Sequence, residues 1–372
     1  MLKEPKLVLV EFIDPVLRRT RGEISVDGKL IRGDWFDEEK AIKGEKKGKW
    51  KTIGDAPAQK FETKIIPADS DFAKVQQKPD LKDPHPAPGA KRVFKTRVAW
   101  IQDQLWRGGA EISGNFVAEI GRNCGFDIAM LTRDVPAKII HDEIVKADLA
   151  VLNNLWAFSS EQIMAILKGI YSDGIPYVKY EHDHREISEP EFSIPLFRRS
   201  KLNVFLSPMH LRNYQKALGC DGIALPLAID TEIFKPVEGV ERKAGWALVS
   251  NVRNFKSWQK LNQYIQEHPE ITFVILGSDP PVQGQNIRVR PMVPFDQMPA
   301  LYSEHEFLVH ILDGYGAGER VVFEAALCGC KIIMNENVGH MSWEIDLGDT
   351  ERLRQWLDDA PFEFWRRLEA IV

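Results

Sequence analysis

Apolar runs alternate with helix-like segments from about residue 95 onward. A segment with apolar residues at helical spacing, ISGNFVAEIGRNCGF, lies between the first two runs. The runs themselves read RVAWIQ, DIAMLTRD, ADLAVLNNLW, IPYVKYEHD and LNVFLSP. Strands that are apolar on both faces and separated by helices are typical of a parallel sheet with helices on both sides. The pattern therefore predicts an α/β domain over residues 95–235.

The same alternation restarts after a proline-flanked segment, LPLAIDTEIFKPVEG, near residues 225–239. The later segments read WALVSNV, KSWQKLNQYIQEH, ITFVILGSD, IRVRPMV, FDQMPALYSE, HEFLVHI, RVVFEAALCGC and KIIMNE. They predict a second parallel-sheet domain over residues 236–350. Residues 351–372 read as an amphipathic helix broken near Pro361, a helical tail with no chemistry.

Residues 1–94 lack this regular alternation of apolar runs and helix-like segments, which predicts an irregular extension. Residues 7–12 are strand-like, and EISVDGKLIRGDWF reads as a hairpin with Asp27-Gly28 at its turn. A basic cluster follows, with six lysines among the twelve residues from Lys40 to Lys51, together with Trp50. The proline-rich stretch at residues 67–93 predicts an extended connector.

Composition narrows the class of protein. The chain has 372 residues, of which 44% are hydrophobic and 28% charged, with a formal net charge of -5. These values exclude global disorder and argue against a strongly basic nucleic-acid coat protein. The first apolar run is too short for a signal peptide, and no run reaches the roughly 18 apolar residues of a membrane span. We therefore expect a soluble, cytoplasmic protein.

The four cysteines are too few and too scattered for a disulfide framework. Cys328 and Cys330 form a C-x-C pair inside an apolar run. We interpret them as small buried hydrophobic residues rather than as metal ligands.

Two glycine loops lead into helices. In WRGGAE, Gly108 and Gly109 would let a phosphate or a sugar hydroxyl approach the helix N-terminus, although the loop could also be only a tight turn. In DGYGAGERVVFEAALCGC, three glycines precede a helix that carries charged residues. That arrangement fits an anionic diphosphate, and the alternative is a solvated helix start. Neither loop is a dinucleotide fingerprint or a P-loop, so a nicotinamide cofactor and a P-loop ATPase are disfavoured.

Two further segments carry polar groups just after strands. In SNVRNFKSW, Arg253 and Lys256 would neutralise a diphosphate at the carboxyl edge of the second sheet, unless they are only surface cations. In YEHDHREI, His182 is a candidate to orient substrate or take part in catalysis, with a structural histidine as the alternative. An H-x-H on an extended segment has no evident third ligand, so no metal is predicted.

Six motifs in order resemble the GT-B glycosyltransferases, and most closely the retaining glycosyltransferase family 4. The resemblance covers about residues 97–345. WRGGAE resembles the family's glycine loop, VKYEHDH its strand ending in His-Asp, and VFLSP with LPLAIDTEIFKP its interdomain stretch. FVILGSD, MPALYSEHEFLVH and FEAALCGCKIIMNENVG resemble its later signatures. The implied fold is GT-B, with two Rossmann-like parallel-sheet domains facing across a cleft.

The chain departs from the family pattern at two positions. Asn251 stands where the family has the arginine of G-R-x-x-x-x-K-G, although Lys256 keeps the lysine and Arg253 could substitute for the arginine. Gly316 stands at the first glutamate of the E-x7-E motif, whereas Glu324 keeps the second. Glu319 is a candidate to take over part of the missing role.

The resemblance implies transfer of a sugar from a nucleotide-diphosphate donor to an acceptor hydroxyl, with retention and without a metal. The nucleotide-sugar is a co-substrate, and no other cofactor is implied. The resemblance assigns catalytic roles to His182, Asp183, Arg253 and Lys256. It assigns binding of the nucleotide-sugar donor to Gly108, Gly109, Asn251, Gly277, Ser278, Gly316, Gly318, Glu319, Arg320, Val321 and Glu324. Domain closure near residue 235 would exclude water from the site.

Two other functions stay open. The lysine cluster and Trp50 could steer a polyanion, which would suit a DNA-modifying glycosyltransferase, or could form only a solvated basic loop. Gly316 and Asn251 also allow a GT-B-like protein that binds a nucleotide-sugar or glycan without transferring it. The donor base, the sugar, the acceptor (glycan, small molecule or DNA) and the oligomeric state are not determined by the sequence.

Overall fold

The structure, a computed structural model, describes short strands within the first 55 residues and then residues 96–104, 108–184, 190–249, 259–276 and 284–372. The chain divides into two units, Met1–Pro67 and Ala68–Val372. The strands of the first unit are β1 (Leu7–Val8), β2 (Ile13–Asp14), β3 (Arg19–Thr20), β4 (Glu23–Val26), β5 (Lys29–Arg32), β6 (Phe36–Asp37) and β7 (Thr52–Asp55).

The first unit contains the predicted hairpin. β4 pairs with β5 in antiparallel register, with Val26 opposite Lys29, which confirms the pairing of the predicted hairpin, and its two turn residues lie outside the described residues. β5 also pairs with β7. The lysine cluster and the proline-rich connector lie outside the described residues.

A six-stranded parallel sheet forms the first half of the second unit, in the order β13-β12-β11-β10-β8-β9. Its strands are β8 (Thr96–Ile101), β9 (Phe126–Leu131), β10 (Leu149–Leu152), β11 (Tyr177–Tyr180), β12 (Leu202–Phe205) and β13 (Ile223–Ala224). The helices are α1 (Gly109–Asn123), α2 (Ala137–Val145), α3 (Ser160–Leu167) with a π-helical turn (Lys168–Ser172), α4 (Pro190–Arg198) and α5 (Pro208–Leu218).

A five-stranded parallel sheet follows, in the order β16-β15-β14-β17-β18. Its strands are β14 (Lys243–Val249), β15 (Thr272–Leu276), β16 (Ile287–Arg290), β17 (His305–His310) and β18 (Lys331–Met334). The helices are α6 (Gln259–Glu267), α7 (Met298–Glu304), α8 (Arg320–Leu327) and α9 (Thr350–Glu369), with 3-10 turns at Phe295–Gln297 and Gly339–Ser342. The predicted fold class, two parallel sheets in series, is confirmed.

Apolar side chains cover both faces of the central strands, such as β10, which is why those strands have apolar residues at consecutive positions, whereas the edge strand β16 alternates apolar residues with arginine. In β8, Val98 and Trp100 pack into one core, whereas Ala99 and Ile101 pack into the core on the opposite face. The interpretation of the C-x-C pair as buried is also confirmed. Cys328 and Cys330 lie in the core of the second sheet, where burial raises the pKa of both thiols, that of Cys330 to about 11.

The C-terminal helix α9 packs on both sheets. The predicted break near Pro361 is wrong, because the helix runs through that residue without interruption. Leu353, near its start, lies in the core of the second sheet, whereas Trp365 lies in the core of the first and donates from Nε1 to the Val117 carbonyl at 2.7 Å. Burial at both ends outweighs the missing proline N–H, which costs a helix interior about 3 kcal/mol.

Candidate functional site

Buried polar side chains line the carboxyl ends of three neighbouring strands in the first sheet. Gln102 follows β8, Asn153 follows β10, and Glu181 with His182 follows β11. These strands are adjacent in the order β11-β10-β8. Ligands bind at the carboxyl ends of strands in open α/β sheets, so this edge forms the first half of a candidate site.

A chain of amide hydrogen bonds connects this edge to helix α1. Trp100 Nε1 donates to Gln102 Oε1, and Gln102 Nε2 donates to Asn115 Oδ1, both at 2.9 Å. The helix approaches closely at Gly114, where a methyl group would lie 2.8 Å from Asn153 Nδ2. No sequence motif pointed to these amides, and their only signal was a polar residue directly after an apolar strand.

A buried ion pair lies at the end of β11. The side chains of Lys179 and Glu181 are 0% exposed, and their Nζ and Oε2 atoms are 2.6 Å apart. Lys179 Nζ also donates to the Asn153 carbonyl at 3.0 Å. Glu181 Oε1 accepts from the backbone N–H groups of His182, at 3.1 Å, and Asp183, at 2.9 Å. No sequence motif pointed to this pair, although a lysine inside an apolar strand and a glutamate directly after that strand were a usable signal.

His182 is 9% exposed, and its ring lies against Tyr180 with centroids 4.4 Å apart. Burial, followed by the charges of Lys179 and Arg320, lowers the pKa of His182 to about 3. Neither ring nitrogen has a hydrogen-bond partner in the described part of the chain. His182 is therefore neutral near pH 7, with one N–H and one lone pair to offer a ligand.

Asp183 is held from both sides. Its Oδ1 accepts from the His184 N–H at 2.7 Å, and its carbonyl accepts from His210 Nε2 at 3.0 Å and from the Tyr214 hydroxyl at 2.7 Å. His210 Nδ1 accepts from the Leu206 N–H, so the proton of this imidazole lies on Nε2. Helix α5 thereby fixes the backbone of the predicted His-Asp motif.

The glycine loop of the second sheet packs tightly around Glu319. Gly316 donates from its N–H to the Asn337 carbonyl at 2.9 Å and accepts from the Gly339 N–H at 3.1 Å. A methyl group on Gly316 would lie 2.8 and 2.9 Å from the two carboxylate oxygens of Glu319. The Glu319 carboxylate therefore fills the space toward which a side chain at position 316 would point.

Replacing Gly316 with alanine is expected to lower the free energy of unfolding by about 1–3 kcal/mol, because the added methyl group would crowd Glu319 and lie 2.5 Å from Leu312 Cδ1. Gly314→Ala, in the same loop, is the control, since nothing lies within 4 Å of its methyl position. Urea denaturation of both variants measures the difference. Equal stabilities of the two variants would contradict this close packing at Gly316.

Arg320 reaches from helix α8 to the first sheet. Its Nε donates to Glu324 Oε1 at 2.8 Å, and its Nη1 donates to Ser113 Oγ of α1 at 2.7 Å and to the Ala228 carbonyl at 2.9 Å. The Tyr302 hydroxyl donates to the other oxygen of Glu324 at 3.1 Å. Both oxygens of the Glu324 carboxylate thus have a protein partner, and Arg320 joins the two α/β halves.

The N-termini of α1 and α8 meet at this cation. A methyl group on Gly109 would lie 3.2 Å from Arg320 Cδ, so the absence of a side chain lets the guanidinium pass the start of α1. Gly318, just before α8, lies close to Leu206, because a methyl group on Gly318 would be 3.3 Å from Leu206 Cβ. Val321, in contrast, packs against the core of the second sheet. Two positive helix ends and one guanidinium therefore lie close together.

The structure brings several predicted site residues into one region. The Arg320 side chain packs against Gly109 and donates a hydrogen bond to Glu324. Its positive charge also contributes to the lowered pKa of His182. Other predicted site residues, namely Asn251, Arg253, Lys256, Gly277 and Ser278, lie outside the described residues. Their segments follow β14 and β15 along the chain.

No group of three or more histidine, cysteine, aspartate or glutamate side chains in the described ranges is arranged to hold a metal ion. None of the described helices is long and apolar enough to cross a membrane.

Solved structures show what this architecture resembles. A sucrose-phosphate synthase from Thermosynechococcus elongatus matches with a TM-score of 0.59 and 13% identity over 75% of this chain and 100% of that one. Anabaena HepE in complex with UDP and glucose matches with a TM-score of 0.52 and 12% identity, over 73% and 95% of the two chains. An α-glucosyltransferase in complex with UDP and a DNA containing an HMU base matches with a TM-score of 0.51 and 11% identity, over 73% and 93%.

No family model and no curated protein sequence matches the chain. At such low identities the structural matches establish the fold, and the chain has the GT-B fold. Membership of the retaining family 4 in particular stays a prediction.

Proposed function

We propose that this protein is a glycosyltransferase that moves a sugar from a nucleotide-diphosphate donor to an acceptor hydroxyl, with retention and without a metal ion. The observation that carries the proposal is the meeting of two helix N-termini at Arg320 in a GT-B fold. Positive helix ends with a guanidinium favour an anionic diphosphate. HepE, which has the same fold, was solved with UDP and glucose, and this supports a nucleotide-sugar as the donor.

In this proposal the domain at residues 95–235 binds the acceptor and the domain at residues 236–350 binds the donor. The diphosphate lies near Gly108 and Gly109, and the cations Arg253 and Lys256 stabilise the charge that develops on it. Glu324 binds the ribose. Its carboxylate already accepts from Arg320 and Tyr302, but a carboxylate offers about four lone-pair sites, so further donors can be accommodated.

His182 would bind and orient a hydroxyl of the donor sugar or of the acceptor. Its pKa of about 3 makes it a weak base near pH 7, so we do not assign it the removal of the acceptor proton. Glu319 would bind hydroxyl groups of the donor sugar. Its carboxylate lies in the space that a side chain at Gly316 would occupy, which makes it the nearest substitute for a glutamate at that position.

A thermal-shift screen across nucleoside diphosphates and their sugars tests the donor site. A donor at 100 times its dissociation constant should stabilise the protein by about 2.7 kcal/mol, and nucleotide should be released slowly by hydrolysis and faster with an acceptor. The matching nucleoside monophosphate is the control, because it lacks the second phosphate. Absence of any shift with every diphosphate would refute the donor site. Binding without release, with all acceptors tried, would favour a protein that binds nucleotide-sugars without transferring them.

A DNA acceptor is the second candidate, and two observations favour it. One is the lysine cluster with Trp50 at residues 40–51, and the other is the structural match to an α-glucosyltransferase in complex with DNA. Binding through Lys–phosphate contacts would weaken steeply with salt and would be lost on deletion of residues 40–51. DNA affinity that is insensitive to both changes would exclude this acceptor.

A further inference from the structure

The ion pair between Lys179 and Glu181 is unusual because both side chains are completely buried. Moving two charges out of water carries a large desolvation penalty, and a well-packed apolar pair of similar volume is often as stable or more stable. Stability alone is therefore a weak reason for this pair. Its position, directly before His182 at the end of β11, suggests a different role.

The Glu181 carboxylate determines the backbone conformation of the next two residues. The Glu181 N–H still continues the sheet by donating to the Val204 carbonyl at 2.9 Å. The N–H groups of His182 and Asp183 instead donate to Oε1 of Glu181. Hydrogen bonds to an ionised acceptor are roughly twice as strong as neutral ones. One carboxylate oxygen thus holds the peptide units on both sides of His182.

Lys179 holds the same carboxylate from the other side. Its Nζ lies 2.6 Å from Oε2 of Glu181 and donates at 3.0 Å to the Asn153 carbonyl, which follows the neighbouring strand β10. The carboxylate is therefore clamped between a cation anchored on one strand end and two N–H groups of the turn. Rotation of the Glu181 side chain would break both sets of contacts.

We infer that Glu181 is a positioning residue, held in place by Lys179, that aims the His182 imidazole into the site between the two sheets. The inference rests on the proposed function, because it assigns His182 to substrate. Glu181 itself touches no substrate and acts through the backbone of His182 and Asp183.

Two double variants separate positioning from a purely structural role. Lys179→Met with Glu181→Gln removes both charges but keeps an oxygen that can accept from the two N–H groups. Lys179→Met with Glu181→Leu removes the charges and the oxygen. Because neither variant leaves a lone buried charge, both are expected to fold, and urea denaturation measures the stability that the leucine variant loses with the acceptor of the two N–H groups.

Sugar-transfer kinetics give the first readout. We expect the glutamine variant to keep kcat within about tenfold of the wild type. We expect the leucine variant to lose about 100-fold in kcat with little change in the KM of the donor, since a displacement of about 1 Å of a positioned group costs on this order. Equal kcat values for the two variants would overturn the inference.

The NMR signal of the His182 ring gives a second readout that does not depend on activity. In the wild type and the glutamine variant, this signal should not titrate between pH 5 and pH 8, because the ring stays buried and neutral. In the leucine variant it should shift and titrate closer to the ordinary histidine range. If no donor is ever turned over but the signal moves only in the leucine variant, the proposed function fails while the positioning role stands. An identical signal in all three proteins would refute positioning.

Discussion

Lys256→Ala is expected to lower kcat/KM for sugar transfer by about 10²–10³-fold. In the proposed mechanism its ammonium stabilises the negative charge that develops on the departing diphosphate. Removal of one preorganised electrostatic group of this kind commonly costs about 2.7–4 kcal/mol of transition-state stabilisation. Steady-state kinetics with the donor found in the thermal-shift screen measure the effect.

Lys260→Ala is the matched control, because it removes the same charge four residues further along the chain. Lys260 lies in the first turn of α6, where its exposed Nζ is 2.9 Å from Glu336 Oε1. Exposed pairs of this kind contribute little, and the residue is not assigned to the site, so activity should stay within about twofold of the wild type. A comparable loss in both variants, or none in Lys256→Ala, would contradict the assignment of Lys256.

Acidification below pH 6 is expected to destabilise the protein steeply. Burial lowers the pKa of His182 to about 3 and of His340 to about 4, and it lowers the pKa of His210 well below its ordinary value. In the unfolded chain these imidazoles titrate near pH 6.5, so as the pH falls from about 6.5 to about 5 the unfolded state comes to bind up to about three more protons than the folded state. Stability therefore rises with pH in this window and is lost as pH falls. The expected slope is about 4 kcal/mol per pH unit.

Urea denaturation at several pH values between 5 and 7 measures this slope. His182→Gln should reduce it by about a third, because one of the three protons no longer binds on unfolding. The same substitution at His340 should have a similar effect and serves as an independent check. If the unfolding free energy of the wild type changed with pH by no more than the uptake of one proton requires, most of these imidazoles would already be charged in the folded protein.

Local patterns predicted the secondary structure well because the apolar residues of a strand show whether it is buried. β8 and β10 are apolar on both faces and therefore predict a parallel sheet that is covered on both sides. Asp27-Gly28 predicts a hairpin turn between β4 and β5. The prediction failed at Pro361, where local helix propensity disagreed with tertiary packing. Trp365 and Leu353 bury the two ends of α9 against different sheets, and their combined burial keeps the helix continuous.

The candidate site divides in the same way. Glycine between a strand and a helix is a local signal, so Gly109 and Gly316 could be predicted as places where backbone comes close to another group. The pairing of Lys179 with Glu181 could have been suspected from a lysine inside β11 and a glutamate directly after it. Its link to Asn153 could not, because that contact depends on which strand lies beside β11.

The sequence by itself determined the two parallel sheets, the glycine loops before α1 and α8, and the polar residues that follow the strands, because these depend on neighbours within one turn or one strand. Only the tertiary structure decided what those residues contact. Arg320 binds Ser113 across 207 residues of chain, and no local pattern specifies that partner. Such a contact forms only when the two sheets pack together, since the burial of their surfaces, rather than any single pair, determines which side chains meet.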